Sequence, residues 1–209
     1  PKLSCAGSSG GSAVSLACGM VSLASGSDFG GSLRTPASFC GIVGFRPSPG
    51  VVPSEIRSNA LSPLSVYGPM GRTVSDAALL LAAQADSDFR DPFSLVFNSE
   101  LMEPLVTQDL SNIRVAISTD LGCAPVDTDI TRVFREKVGR FQHVFASYEE
   151  IEPNLEGVHE AFEILRGVNF VAAHGERLKK HRDLLGPNII ENVERALGFS
   201  LEDVAWAHN

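Results

Sequence analysis

The chain has 209 residues, 44% of them hydrophobic and 20% charged, which is enough apolar surface for a buried core and inconsistent with a disordered chain. Lys and Arg number 17 against 25 Asp and Glu, a net charge of −8. That balance argues against a nucleic-acid binder, which needs a clustered cationic surface. The apolar run at residues 77–83 falls far short of the roughly 20 residues that span a bilayer, so no membrane span is expected.

Residues 1–50 hold 10 of the 19 glycines and 11 serines, with only Lys2, Asp28, Arg34 and Arg46 charged. A flexible linker has such a Gly/Ser content, but this stretch also carries Val14, Leu16, Val21, Leu23, Phe29, Leu33, Phe39 and Phe45. That much apolar surface needs cover, so the stretch reads as a small-residue interior. Residues 12–20 predict a small buried helix and residues 21–25 a short strand. Pro47, Pro49 and Pro53 mark a loop. Thr73-Val74-Ser75-Asp76 is a helix start, an N-cap hydroxyl with an acid three residues on, leading into residues 77–84. Ile113, Val115 and Ile117 alternate with Arg114, Ala116 and Ser118, the period of a strand. Ile130, Val133, Phe134, Val138 and Phe141 recur at helical spacing after Asp127, a candidate cap. Residues 144–148 predict the next strand. Residues 160–173 and 189–197 predict helices, the second closed by Gly198. Strands alternating with helices predict an α/β fold.

Cys5, Cys18, Cys40 and Cys123 form no C-x-x-C pair and no zinc-type spacing. They are expected to be free thiols, which suits a reducing, cytoplasmic location. The chain opens at Pro1 with no apolar leader after Lys2 and closes at Asn209 on a helix-like run. It reads as an internal piece of a longer protein.

Two glycine–serine clusters carry the chemistry: Gly7-Ser8-Ser9-Gly10-Gly11-Ser12, and Gly26-Ser27-Asp28-Phe29-Gly30-Gly31-Ser32-Leu33-Arg34. Acyl transfer needs backbone N–H groups aimed at the oxygen of a tetrahedral intermediate, and side chains would block their approach. Phe29-Gly30-Gly31-Ser32 offers such donors beside a hydroxyl. A phosphate-binding loop also wants glycines, but neither G-K-[ST] nor G-x-G-x-x-G is present. Gly7-Ser8-Ser9-Gly10-Gly11 also fits the G-x-S-x-G nucleophile elbow with Ser9 at its centre. That motif needs a strand immediately before it, which residues 1–6 do not supply. His143, His159, His174, His181 and His208 read as ordinary helix or surface positions.

The two clusters together resemble the amidase signature family. Its first run appears as Ala6-Gly7-Ser8-Ser9-Gly10-Gly11-Ser12. Its second appears as Gly26-Ser27-Asp28-Phe29-Gly30-Gly31-Ser32-Leu33-Arg34-Thr35-Pro36-Ala37 and continues through Gly41, Gly44, Arg46 and Pro47. Gly68-Pro69-Met70-Gly71-Arg72-Thr73-Val74-Ser75-Asp76-Ala77 is similar to a further family segment. Close likeness covers residues 5–85 and is looser beyond. The resemblance implies one partial domain over residues 1–209, with the signature core in about 1–85 and a less characteristic α/β remainder in 86–209. The implied fold is a mixed twisted β-sheet surrounded by helices.

The resemblance also implies a serine hydrolase of amide bonds that uses a Ser–Ser–Lys triad and no histidine. By position, Ser32 is the nucleophile, and Ser8 is the bridging serine held by a cis peptide after Gly7. The N–H groups of Phe29, Gly30, Gly31 and Ser32 form the oxyanion hole, while Ser9, Asp28 and Arg34 support the loops. It calls for no metal or organic cofactor, and for a small-molecule amide as partner, with no direct nucleic-acid contact; a homodimer is compatible with it. The sequence departs from the pattern at Cys5, where proline is usual, and at Ala6, where the family has glycine. The family's lysine lies some tens of residues upstream of the bridging serine. Lys2 is too close to take that place, and Lys137, Lys179 and Lys180 lie downstream, so the chain alone is expected to be inactive. One alternative is the A subunit of glutamyl-tRNA(Gln) amidotransferase, which usually has glutamine where this chain has Thr35. Another is a non-catalytic amidase remnant.

Overall fold

The computed structural model describes residues 3–96 and 105–209. Lys2 therefore lies outside the described residues. The chain packs as two compact units, Pro1–Leu105 and Val106–Asn209.

The first unit builds a three-stranded antiparallel sheet from β1 (Leu23–Asp28), β2 (Val43–Gly44) and β3 (Val66–Gly71), with β3 in the middle. Register runs from Leu23 opposite Gly71 to Asp28 opposite Val66, while Val43 faces Gly71 from the other side. Helices α1 (Gly10–Ala17), α2 (Arg34–Cys40) and α3 (Val74–Gln84) belong to the same unit. Ala13, Leu16, Leu33, Ala37 and Met70 form the core cluster, with Ala24, Cys40 and Ile42 packed against it. Two glycines in its first turn make α1 a poor helix former by propensity. The burial of Ala13 and Leu16 offsets that.

Several boundaries differ from the sequence expectation, each for a local reason. Instead of running over residues 12–20, α1 ends at Ala17, because Gly19 turns left-handed (φ 69°) and reverses the chain. The Gly19 N–H donates to Leu16 C=O at 3.0 Å and the Met20 N–H to Ser15 C=O at 2.8 Å, closing a Schellman-type cap. The strand expected at 21–25 is β1, shifted to Leu23–Asp28. No element was expected for α2, β2 or β3. Local pattern hides β3 because it contains Gly68, Pro69 and Gly71, residues that ordinarily argue against a central strand. In contrast, α3 begins where expected: the Thr73 side chain accepts from the Asp76 N–H, and the Asp76 carboxylate accepts from the Thr73 N–H.

The second unit holds a parallel pair, β4 (Arg114–Ile117) and β5 (Ser147–Glu150), joined through α4 (Thr128–Phe141). The expected strand at 144–148 lies later, because residues 142–144 prolong α4 as a 3-10 turn. Asp127 caps α4 by accepting the Asp129 N–H at 2.8 Å. Val115, Ile117, Phe134, Val138, Phe141 and Tyr148 line a groove of about 260 Å³. Against α5 (Val158–His181) pack both α6 (Pro187–Ala196) and α7 (Leu201–His208), with Ile164, Val193 and Ala196 buried. The expected helix at 160–173 is thus extended to both sides, and the one at 189–197 starts earlier, at Pro187, whose missing N–H costs nothing in a first turn. All four cysteines are free, and no helix among the described residues is long and apolar enough to cross a membrane.

Candidate active site

Every signature residue lies in the first unit. Ser32 sits in the turn between β1 and α2, half-buried, and Ser8 lies just before α1, exposed. The Gly7–Ser8 peptide bond is cis. Ala6 adopts φ 55°, a left-handed conformation in which the family's glycine meets no steric cost.

Ser9 joins the two loops. Its N–H donates to the Ser32 carbonyl at 3.3 Å. Its hydroxyl both donates to the Ser27 carbonyl and accepts from the Ser27 N–H, each at 3.2 Å. The Ser12 hydroxyl adds a bond to the Ser25 carbonyl at 2.9 Å. The first cluster is thereby fastened along β1, with Ser8 one residue from the contact to Ser32.

Leu33, the residue after Ser32, is fully buried, and a glycine on each strand makes room for it. A Cβ at Gly26 would stand 2.7 Å from Leu33 Cδ2, at Gly68 2.8 Å from Leu33 Cδ1, and at Gly44 2.5 Å from the Leu33 carbonyl oxygen. The family glycines on β1 and β3 therefore form a socket for the side chain that follows Ser32, and the one on β2 admits its backbone. Along the sequence these glycines stand only as parts of a motif; strand pairing brings them together.

Asp28 closes β1 as a fully buried carboxylate. Its Oδ1 accepts the Gly31 N–H at 2.8 Å and Arg34 Nη2 at 3.1 Å, and its Oδ2 accepts the Leu33 N–H at 3.2 Å and Arg34 Nε at 3.0 Å. Burial alone pushes this carboxyl up. The hydrogen bonds from Arg34, Gly31 and Leu33, with the Arg34 charge, outweigh burial and hold it at about 2. Asp28 thus ties the Gly31 and Leu33 backbone and the Arg34 side chain to the end of β1. The Gly31 N–H was expected to face an oxyanion, but it is engaged by Asp28, because a buried carboxylate demands donors. Gly31 holds the loop, and its φ of 111° is one that favours glycine.

Among the lysines, Lys179 and Lys180 pair with Glu176 in the second unit and Lys137 lines its groove. None of the three belongs to the unit that holds Ser8 and Ser32.

The glycine-walled Ser32 loop is carried on a mixed α/β framework. The chain belongs to the amidase family: a family model described as Amidase matches residues 1–201. It is 36% identical over 150 residues to an acylamidase of Rhodococcus erythropolis, covering 72% of this chain and 31% of that protein. It is 33% identical over 205 residues to the A subunit of glutamyl-tRNA(Gln) amidotransferase from Chromobacterium violaceum, covering 94% of this chain and 42% of that protein. Among solved structures, a bacterial aryl acylamidase of the amidase signature enzymes superposes with a TM-score of 0.86 at 27% identity, covering 97% of this chain and 44% of that one. The chain thus spans less than half the length of these relatives.

Proposed function

We propose that this chain carries the nucleophile-bearing part of an amide hydrolase. Ser32 Oγ attacks the amide carbonyl, and its proton passes through the Ser8 hydroxyl towards a lysine; none stands among the described residues of the first unit. The carbonyl π electrons move onto oxygen, where the N–H groups of Gly30 and Ser32, with that of Phe29 beside them, stabilise the charge. Collapse breaks the C–N bond, the amine leaves with the proton returned through Ser8, and water then releases the acid from acyl-Ser32. A neutral lysine serves as base when desolvation lowers its pKa.

The observation that supports this reading most is the Ser9 N–H bond to the Ser32 carbonyl at 3.3 Å, which sets the Ser8 loop beside the Ser32 loop. Treating the full-length protein with a fluorophosphonate, followed by peptide mapping, tests it. Ser32 is the expected site of labelling, lost in Ser32→Ala. Labelling elsewhere, or unchanged in Ser32→Ala, overturns the assignment. Residues 1–209 alone are expected to label slowly and to leave amides intact.

The likeness to an amidotransferase protein over 94% of the chain supports a second reading, a glutaminase that passes ammonia to a partner. Thr35, in place of the usual glutamine, weighs against it. Glutamine hydrolysis that depends on added partner proteins distinguishes the two.

A further inference from the structure

Arg46 does more than fill the basic position of a motif. Its Nη1 donates both to Asp28 Oδ1, at 3.1 Å, and to the Asp28 main-chain carbonyl, while its Nη2 donates to the Leu64 carbonyl at 3.0 Å. The side chain is 24% exposed, against 57% for Arg34. One carboxylate therefore meets two guanidinium groups, leaving one positive charge directly behind the Ser32 loop. The contact to the Asp28 carbonyl is the informative one. The peptide unit is planar, so fixing the direction of the Asp28 carbonyl also fixes the direction of the Phe29 N–H at its other end. A cation on the carbonyl side polarises the same unit and makes its N–H a stronger donor. Bonding to Leu64, at the entry to β3, ties that peptide to the sheet.

We infer that Arg46 is a positioning residue that aims and polarises the Asp28–Phe29 peptide for charge stabilisation at Ser32. This rests on the reading of Ser32 as nucleophile. Fluorophosphonate labelling is a suitable probe because the phosphoryl oxygen gains charge as the serine attacks. Removing a single oxyanion donor typically costs about 100- to 1,000-fold in rate, so misaiming one is expected to cost about 10- to 100-fold. In the full-length protein, Arg46→Gln should slow the maximal labelling rate by that factor with a half-saturating probe concentration within about threefold, since reversible binding does not use this charge. Arg46→Lys keeps the charge but not the fork, and should slow labelling less than Arg46→Gln, by about three- to tenfold.

An Arg46→Gln rate within twofold of wild type overturns the inference, as does a change confined to the half-saturating concentration. If Arg46→Gln does not fold by circular dichroism, Arg46→Lys decides: a rate within twofold of wild type overturns the inference, and a rate slowed about three- to tenfold supports it, as lost fork geometry requires. Failure of the wild-type protein to label at Ser32 is a separate result, and it removes the nucleophile assignment itself.

Discussion

At the scale of single residues, Asp28 organises the candidate site. It receives two backbone N–H groups and two arginines while fully buried, so its ionised form is favoured by partners that exist only after folding. Its pKa falls to about 2 in the folded chain, against about 3.9 for an unfolded aspartate. A lowered folded value means that the contribution is complete above the unfolded pKa and is lost as pH falls towards the folded one. It amounts to about 2–3 kcal/mol and disappears between about pH 5 and pH 2. Urea denaturation across that range should show the loss in the wild type and a flatter dependence in Asp28→Asn. Equal slopes for the two would remove Asp28 as its source.

At the scale of elements, the three glycines around Leu33 connect packing to chemistry. At Gly68 a Cβ would stand 2.4 Å from the Phe45 carbonyl oxygen as well as against Leu33. The obstruction on that side is backbone, which cannot rotate away. Gly68→Ala is expected to cost about 1–3 kcal/mol, the range for overpacking a core. It should also slow labelling of Ser32, because the strand cannot move without shifting the socket. Thermal denaturation and labelling rate measured together check both halves; a stable variant with slowed labelling would separate packing from positioning.

At the scale of the molecule, a second buried ion pair ties distant parts of the first unit. Arg57 Nη2 meets Asp91 Oδ2 at 2.8 Å, with the side chains 6% and 0% exposed. Asp91 also accepts the Ser54 N–H at 2.8 Å and the Phe93 N–H at 3.0 Å. The Arg57 guanidinium lies 5.1 Å from the Phe93 ring centre and donates to the Ser65 carbonyl at 2.8 Å, next to β3. Asp91→Ala leaves a buried guanidinium without its counter-charge, and should cost about 3–5 kcal/mol. The loss is expected as a lower denaturation midpoint with earlier proteolysis around residues 50–65. A midpoint unchanged within error would show that the pair adds no net stability.

The sequence by itself determined the family, the two loops and the serines proposed for catalysis, because close backbone approach leaves glycines at fixed spacings that survive as a readable string. It also placed α3 and α4, whose caps are local: Thr73 with Asp76, and Asp127 with Asp129. Only the tertiary structure decided that Gly68-Pro69-Met70-Gly71 is the central strand, that the Gly31 N–H goes to Asp28, and that Arg46 reaches both the Asp28 peptide and Leu64. These partners lie far apart along the chain or compete for one donor. Such contacts are settled by which buried polar groups must be satisfied, and no local pattern records that outcome.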